Sequence, residues 1–100
     1  MKSQRSINLT AKKVIYISKL SDLPNIGNVL EEMMIKVQVK TPDELKKIGS
    51  KETFLKIKMI DSTACFSKLC ALEGAIEGIR WHYLSETVKT DLRDFFEHTK

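Results

Sequence analysis

Residues 65–79 read CFSKLCALEGAIEGI. Apolar side chains recur in this stretch at intervals of four, three, four and three residues, at Cys65, Leu69, Leu72, Ile76 and Ile79. This spacing places them on one face of an amphipathic helix, which buries that face against the rest of the molecule. We therefore expect a long central helix that begins at Asp61 or Ser62.

Two glycines, Gly74 and Gly78, interrupt this predicted helix. Glycine inside a helix costs about 1 kcal/mol relative to alanine, so its presence there needs a structural reason. We expect another backbone or a bulky ring to pack closely against this face. Trp81 is the candidate for that ring.

Further helix boundaries are predicted on both sides of the central segment. Thr41-Pro42-Asp43-Glu44 combines a capping threonine, a proline at the first helical position and acidic side chains at the positive helix end, and Gly49 ends that helix. Ser50 is expected to cap the next helix and Ser85 the last one. The core face of that last helix is predicted at Val88, Leu92, Phe95 and Phe96. The predicted fold class is all-α, a compact bundle of about five short helices.

A tight turn between two short helices is predicted at Leu23-Pro24-Asn25-Ile26-Gly27, since proline presets one backbone angle and Gly27 can take a positive one. The turn resembles the hairpin of a helix-hairpin-helix element, in which backbone N–H groups hold a DNA phosphate. A plain αα-hairpin is the alternative. The flanks carry Asp22, Glu31 and Glu32 but no base, which disfavours a phosphate contact.

Charge is unevenly distributed along the 100 residues, whose formal net charge is +4. Residues 1–19 contain five bases and no acid, whereas residues 20–100 contain 12 bases and 13 acids. We interpret residues 1–19 as a basic N-terminal arm and residues 20–100 as one helical domain. The longest apolar runs are four residues, so no membrane-spanning segment is predicted. Cys65 and Cys70 are predicted to be free thiols, as suits a reducing cytoplasm.

No catalytic, cofactor or metal site is predicted. Glu73, Glu77 and His82 could supply acid–base groups, but no nucleophile or metal-ligand spacing accompanies them. His82 and His98 lie 16 residues apart and lack the neighbouring ligands that zinc needs. The glycines match no nucleotide-binding loop. We therefore expect neither enzymatic activity nor a cofactor, and no small-molecule substrate.

Four short motifs follow one another within residues 20–97: LPNIG at 23–27, TPDEL at 41–45 with Gly49 after it, ALEGA at 71–75 and GIRWH at 78–82. Their order and composition resemble the C-terminal domain of the TfoX (Sxy) competence regulators. The resemblance implies an all-helical fold with a helix-hairpin-helix-like element, in a bacterial cytoplasmic protein without enzymatic activity.

In full-length members of that family an N-terminal α/β domain precedes this one, and the protein promotes transcription of DNA-uptake genes together with a cyclic-AMP-responsive activator. We expect a stand-alone member without that N-terminal domain. One departure is KVQV at residues 36–39, where members of the family place a small residue and glycine before an isoleucine. The turn before Thr41 is therefore expected to differ in shape.

Two functions remain open. The first is a small regulatory module, linked to competence or transcription regulation, that contacts a protein partner or a second copy of itself. Its contact surface is predicted at Met33, Met34, Gly74, Gly78 and Trp81. The second is a DNA-binding module that neutralises phosphates with bases of the arm and the central region. Those bases are Lys2, Arg5, Lys12, Lys13, Lys46, Lys47, Lys51, Lys56 and Lys58.

Overall fold

The computed structural model describes residues 19–99, which form five α-helices and two short 3₁₀-helices. The α-helices are α1 (Asn28–Lys36), α2 (Pro42–Ile48), α3 (Ser50–Ile60), α4 (Phe66–Glu77) and α5 (Glu86–Glu97). The 3₁₀-helices are Leu20–Asp22 and Trp81–Tyr83. No strand occurs within the described residues. The prediction of an all-α bundle of about five short helices is confirmed.

Helix α4 is the central element, because it packs against α2, α3, α5 and the 3₁₀-helix that follows it. Leu69 and Leu72 of α4 are fully buried, as are Phe54 and Ile57 of α3. Other fully buried apolar side chains come from the remaining segments: Leu20, Met34, Val39, Leu45 and Leu92. Each side chain of this kind stabilises the fold by roughly 1.5 to 3 kcal/mol relative to an exposed one.

The start of α4 lies later than predicted. The carboxylate of Asp61 accepts hydrogen bonds from the backbone N–H and the hydroxyl of Thr63, at 3.0 and 2.5 Å. These bonds close a local turn. Aspartate forms such turns as an alternative to capping a helix. Helix α4 therefore begins at Phe66, with Cys65 as its N-cap residue.

The end of α4 also differs from the prediction. Gly78 adopts a left-handed backbone with φ of 78°, and the N–H of Ile79 donates to the carbonyl of Gly74 at 2.9 Å. This arrangement satisfies carbonyls of the last turn and stops the helix. Ile79 thus lies beyond the helix, and Gly78 is its terminating residue rather than part of its interior.

Helix α2 has the predicted boundaries. The hydroxyl of Thr41 accepts a hydrogen bond from the N–H of Glu44 at 3.1 Å, and the Glu44 carboxylate accepts from the N–H of Lys40 at 2.7 Å. Gly49 follows the helix with φ of 94°, a conformation that favours glycine. The predicted cap at Thr41 and stop at Gly49 are both confirmed.

The predicted role of Ser50 is wrong. Gly49 is the N-cap residue of α3, and Ser50 is the first residue inside the helix. Because Ser50 is buried against α4, its hydroxyl instead donates a hydrogen bond of 2.7 Å to the carboxylate of Glu73. The serine thereby links two helices.

Helix α5 starts as predicted, since the hydroxyl of Ser85 accepts a hydrogen bond from the N–H of Val88 at 3.1 Å. Leu92 is buried at the centre of its inner face. The other predicted core residues of this helix, Val88, Phe95 and Phe96, are partly buried and pack against the same core. This amphipathic face is confirmed.

The turn between α1 and α2 depends on Gln38. This residue has a left-handed φ of 70°, and the N–H of Val39 donates to the carbonyl of Met34 at 2.9 Å. The turn places Val39 in the core with no exposed surface. A non-glycine residue therefore occupies a conformation that glycine adopts most easily.

Candidate partner-binding groove

The hairpin before α1 is built around Asn25 rather than Gly27. Asn25 has a positive φ of 71°, and the N–H of Ile26 donates to the carbonyl of Leu23 at 3.4 Å. Gly27 has φ of −94° and is the N-cap residue of α1. The predicted turn is present, but the residue that takes the positive angle is asparagine, which tolerates it better than most residues.

The segment before the hairpin is the 3₁₀-helix Leu20–Asp22, only three residues long. The helix that follows is the nine-residue α1. The sequence predicts two short helices around the turn. Only the second is an α-helix, because the first has fewer residues than one turn of an α-helix.

The side-chain amide of Asn25 joins the hairpin to the end of α4. Its nitrogen donates to the carbonyl of Ile79 at 2.9 Å and to that of Ala71 at 3.4 Å. Its oxygen accepts from the N–H of Trp81 at 3.2 Å. One side chain thus satisfies backbone groups on both sides of the helix end, which fixes the hairpin against α4.

Gly74 makes this contact possible. A Cβ atom at Gly74 would lie 2.5 Å from the amide nitrogen of Asn25, 2.8 Å from the carbonyl oxygen of Ile79 and 3.2 Å from the Cα of Trp81. The predicted close approach at Gly74 is confirmed. The approaching groups are the Asn25 amide and the local backbone, and the indole ring is not among them.

The corresponding prediction for Gly78 is wrong. Nothing lies within 4 Å of the position that a Cβ atom at Gly78 would take. The glycine is needed there for its left-handed backbone at the end of α4, not for close packing.

An open groove of about 840 Å³ lies between the hairpin and α4. One side is formed by residues 24–30, and the rest by Cys65, Ser67, Lys68, Ala71, Arg80 and Trp81. We call this surface the hairpin groove. Val29 is 69% exposed at its edge, and Trp81 is partly buried in its wall. The groove therefore presents apolar surface on supports that the Asn25 hydrogen bonds hold in place.

Two bases and no acid line the hairpin groove. Lys68 lies in the first turn of α4, and Arg80 lies just past its end. Neither is in an ion pair with a carboxylate among residues 19–99. The N-terminus of α1 also borders the groove and adds partial positive charge.

The charge of the groove could not be foreseen from the hairpin sequence. Its flanks hold only acids, but Glu31 is turned toward the preceding 3₁₀-helix, where its carboxylate accepts from the N–H of Ser21 at 3.2 Å. The bases come from residues more than 35 positions further along the chain. No local signal in the sequence pairs Lys68 or Arg80 with this turn.

The thiol of Cys65 also lines the groove and is exposed. Its sulfur lies 3.1 Å from the hydroxyl of Ser67. This hydrogen bond, with smaller contributions from the backbone N–H groups of Lys68 and Ser67, holds the pKa of Cys65 below its usual value. Cys70 is buried, and that burial raises its pKa.

The predicted protein-contact residues do not form one surface. Met34 has no exposed area because it fills the core beneath α1, so its inclusion in a contact surface is corrected. Met33 is partly buried against the same core. Gly74 is buried under Asn25, whereas Gly78 is exposed at the helix end. Of these residues, Trp81 lines the groove.

The predicted DNA-contact residues of the arm, Lys2, Arg5, Lys12 and Lys13, lie outside the described residues. The central lysines line no part of the hairpin groove. Lys46 and Lys47 are exposed on α2, and Lys56 is half-buried on α3.

The other two central lysines contact α5. Lys51 forms an ion pair of 2.6 Å with Asp91, and its ammonium lies 5.5 Å from the centre of the Phe95 ring. Lys58 lies about 6 Å from two ring centres, those of Phe54 and Phe96. Such contacts stabilise modestly and orient both side chains along α5.

The three possible acid–base residues, Glu73, Glu77 and His82, do not form one cluster. Glu73 accepts the hydrogen bond from Ser50, and its own hydrogen bond with Glu77 raises the pKa of Glu77. His82 instead stacks on Trp81, with ring centres 4.1 Å apart. Within residues 19–99, no group of three or more His, Cys, Asp or Glu side chains is placed to hold a metal ion.

Among the described helices, none combines the length and the apolar character that crossing a membrane requires.

Two solved structures are similar to this chain over most of its length. One is the triclinic crystal form of an uncharacterized protein from Listeria monocytogenes, with 55% identity and a TM-score of 0.81 over 82% of this chain and 93% of that one. The other is the tetragonal form of a protein of unknown function from the same organism, with 56% identity and a TM-score of 0.79 over 81% and 99%. No curated protein matches the chain.

The family model of the TfoX C-terminal domain matches residues 17–96. This range contains α1 to α4, the hairpin groove and nearly all of α5. The resemblance inferred from the four sequence motifs is therefore confirmed. The chain belongs to the TfoX C-terminal domain family.

Proposed function

We propose that this chain is a non-enzymatic regulatory module that binds another protein in the hairpin groove. The observation that carries the proposal is the exposed apolar edge at Val29, in a groove that Trp81 also lines and whose two walls are joined by Asn25. A site held in place before binding loses less conformational entropy when its partner arrives. An apolar centre with polar groups around it is typical of protein interfaces.

The groove favours a protein over a nucleic acid as the partner. Proteins that bind duplex DNA gain affinity by neutralising several phosphates with clustered bases. The groove has two bases, and residues 20–100 together carry 13 acids against 12 bases. Aromatic and apolar side chains at the centre of a contact, in contrast, dominate the energetics of protein interfaces.

In this proposal the module acts in the cytoplasm, in competence or transcription regulation, which are the roles that the family resemblance implies. The protein contact is the step through which it regulates. A second copy of the chain is one form that the partner can take.

Site-directed photocrosslinking tests the proposal. A benzoylphenylalanine replaces Val29 at the groove edge, and in a matched control it replaces Met59, which is 86% exposed on α3 outside the groove. We expect a discrete protein adduct from position 29 that survives nuclease treatment and is competed by excess unmodified chain. An equal adduct from position 59, or no protein adduct from position 29, would contradict the proposal.

Binding of duplex DNA is the second candidate function, and one observation favours it. The N-terminus of α1 has backbone N–H groups without intrahelical partners, and Lys68 and Arg80 lie in the same groove. Together with the basic arm and the exposed central lysines, these groups could make four or five phosphate contacts. A plot of log binding constant against log salt concentration should then have a slope of about −4 on generic duplex DNA. Absence of binding at low salt would exclude this candidate.

A further inference from the structure

The charge of the hairpin groove indicates the chemistry of the partner that it binds. Lys68 and Arg80 come from opposite ends of the α4 segment, and both line the same groove. Neither has an ion-pair partner within residues 19–99, and no acid lines the groove. Two bases beside apolar surface are a complement to a segment that carries acidic and apolar side chains together.

From this complementarity we infer that the hairpin groove binds a peptide segment in which an aspartate or glutamate stands next to a bulky apolar residue. The inference rests on the proposed function and names the chemistry of its partner. An acidic side chain of the segment pairs with Lys68 or with Arg80, and the apolar side chain packs on the surface that Val29 and Trp81 help to line. The N–H groups at the start of α1 supply further donors for a carboxylate.

The surroundings of the groove favour a short acidic segment over a polyanion. Asp22 and Glu32, on the two sides of the hairpin, are exposed. A long duplex across the hairpin would meet these carboxylates and be repelled. A peptide confined to the groove meets Lys68 and Arg80 and no acid in the groove lining; outside the lining, local hydrogen bonds and the charge of Lys68 lower the pKa of Asp61. Exposed pairs contribute little individually, so the apolar contact is needed for measurable affinity.

An unbiased peptide selection tests the inference. Random dodecapeptides displayed on phage are selected on the full chain, and separately on a variant that combines Lys68→Glu with Arg80→Glu. A control variant combines Lys46→Glu with Lys47→Glu, which changes the net charge equally at exposed positions of α2 outside the groove. Far-UV circular dichroism establishes that both variants are folded.

We expect the selected peptides to be enriched in Asp or Glu beside Leu, Ile, Phe or Trp. Their affinity should fall by at least about tenfold in the groove variant and by less than about twofold in the control. Selection without an excess of acids, equal losses in both variants, or no enrichment would overturn the inference. So would a short duplex DNA that displaces the peptides at lower concentration than the unlabelled peptide itself.

The two proposals can fail separately. If crosslinking at position 29 yields the protein adduct but the selected peptides lack acids, the groove binds a protein and the acidic recognition is wrong. If no protein adduct forms at position 29, the proposed function fails, whatever the peptides selected in vitro contain.

Discussion

The amide nitrogen of Asn25 lies 2.5 Å from the place where a Cβ atom at Gly74 would stand. Asn25 and Gly74 are 49 positions apart in the sequence, yet each explains the other. The glycine leaves room for the amide, and the amide satisfies backbone groups around the end of α4. The wall of the hairpin groove depends on this contact.

The Asn25–Gly74 contact predicts non-additive mutational effects. Gly74→Ala should destabilise by about 1 to 3 kcal/mol through overpacking. Asn25→Gly keeps the positive φ accessible but removes the hydrogen bonds, at a cost of about 1 to 3 kcal/mol. In the double variant the clash with Asn25 is absent, so the combined loss should fall short of the sum by about 1 kcal/mol. Denaturant unfolding measures all four proteins, and strict additivity would mean that the two residues do not interact.

Gly78 and Gly27 predict different responses to the same substitution. Neither has an atom within 4 Å of the position that a Cβ atom would take, but Gly78 has φ of 78° and Gly27 has φ of −94°. Gly78→Ser should destabilise by about 1 to 2 kcal/mol because of its left-handed backbone. Gly27→Ser supplies a hydroxyl at a helix N-cap and should be neutral or slightly stabilising. Equal losses in thermal unfolding at the two positions would contradict this assignment.

Gln38 predicts a stabilising substitution. Its left-handed φ of 70° is costly for a residue with a side chain and available to glycine. Gln38→Gly should raise the free energy of unfolding by about 0.5 to 1 kcal/mol, since relief of strain exceeds the greater entropy of glycine in the unfolded chain. Urea unfolding measures it, with Glu32→Gly, an exposed position in the middle of α1, as a control expected to lose stability. A loss with Gln38→Gly would contradict the observed turn.

Replacement of Thr53 by valine is a second substitution that should increase stability. Its hydroxyl is fully buried on α3 and has no hydrogen-bond partner among the described residues. Thr53→Val removes an unsatisfied polar group and should stabilise by roughly 1 kcal/mol. Thr41→Val is the matched control, because the Thr41 hydroxyl accepts the capping bond from Glu44 and its loss should cost about 1 kcal/mol. In calorimetric unfolding, Thr53→Val should raise the midpoint temperature and Thr41→Val should lower it.

The environment of Cys65 predicts a pH-dependent reaction. The thiolate is the nucleophile, and the Ser67 hydrogen bond lowers the pKa of Cys65, so more thiolate is present at a given pH than for a free cysteine. Alkylation of Cys65 by iodoacetamide should therefore begin at lower pH than that of a model thiol, and Ser67→Ala should move the profile to higher pH. Cys70 is buried and should react slowly in the folded chain. An unchanged profile in Ser67→Ala would contradict the assignment.

Much of the fold is predictable because its signals are local. The apolar stripe at Leu69 and Leu72, the cap at Thr41 and the stop at Gly49 each need only neighbouring residues. The sequence motifs alone also indicate the family. The ends of α4 are harder to predict, since Asp61 can cap a helix as readily as it closes a turn, and Gly78 suits a helix end as well as close packing.

The groove is poorly predictable because it depends on contacts between distant segments. The sequence predicts both Trp81 and Met34 as contact residues. In the structure Trp81 lines the groove, whereas Met34 fills the core. Lys68 and Arg80 do not stand out, since neither belongs to a charge cluster in the sequence. Their grouping with the hairpin arises from tertiary packing, in which Asn25 bonds the hairpin to α4 and to the residues after it.

Binding of an acidic, partly apolar segment in the hairpin groove can be observed residue by residue. The measurement is a titration of the full chain with the strongest peptide from the selection, followed through the backbone amide chemical shifts. We expect the largest changes to cluster at residues 24–30, at the start of α4 and at Arg80 and Trp81. Changes centred on the lysines of α2 and α3, or spread evenly over the bundle, would show that the segment binds elsewhere and that the hairpin groove is not the contact surface.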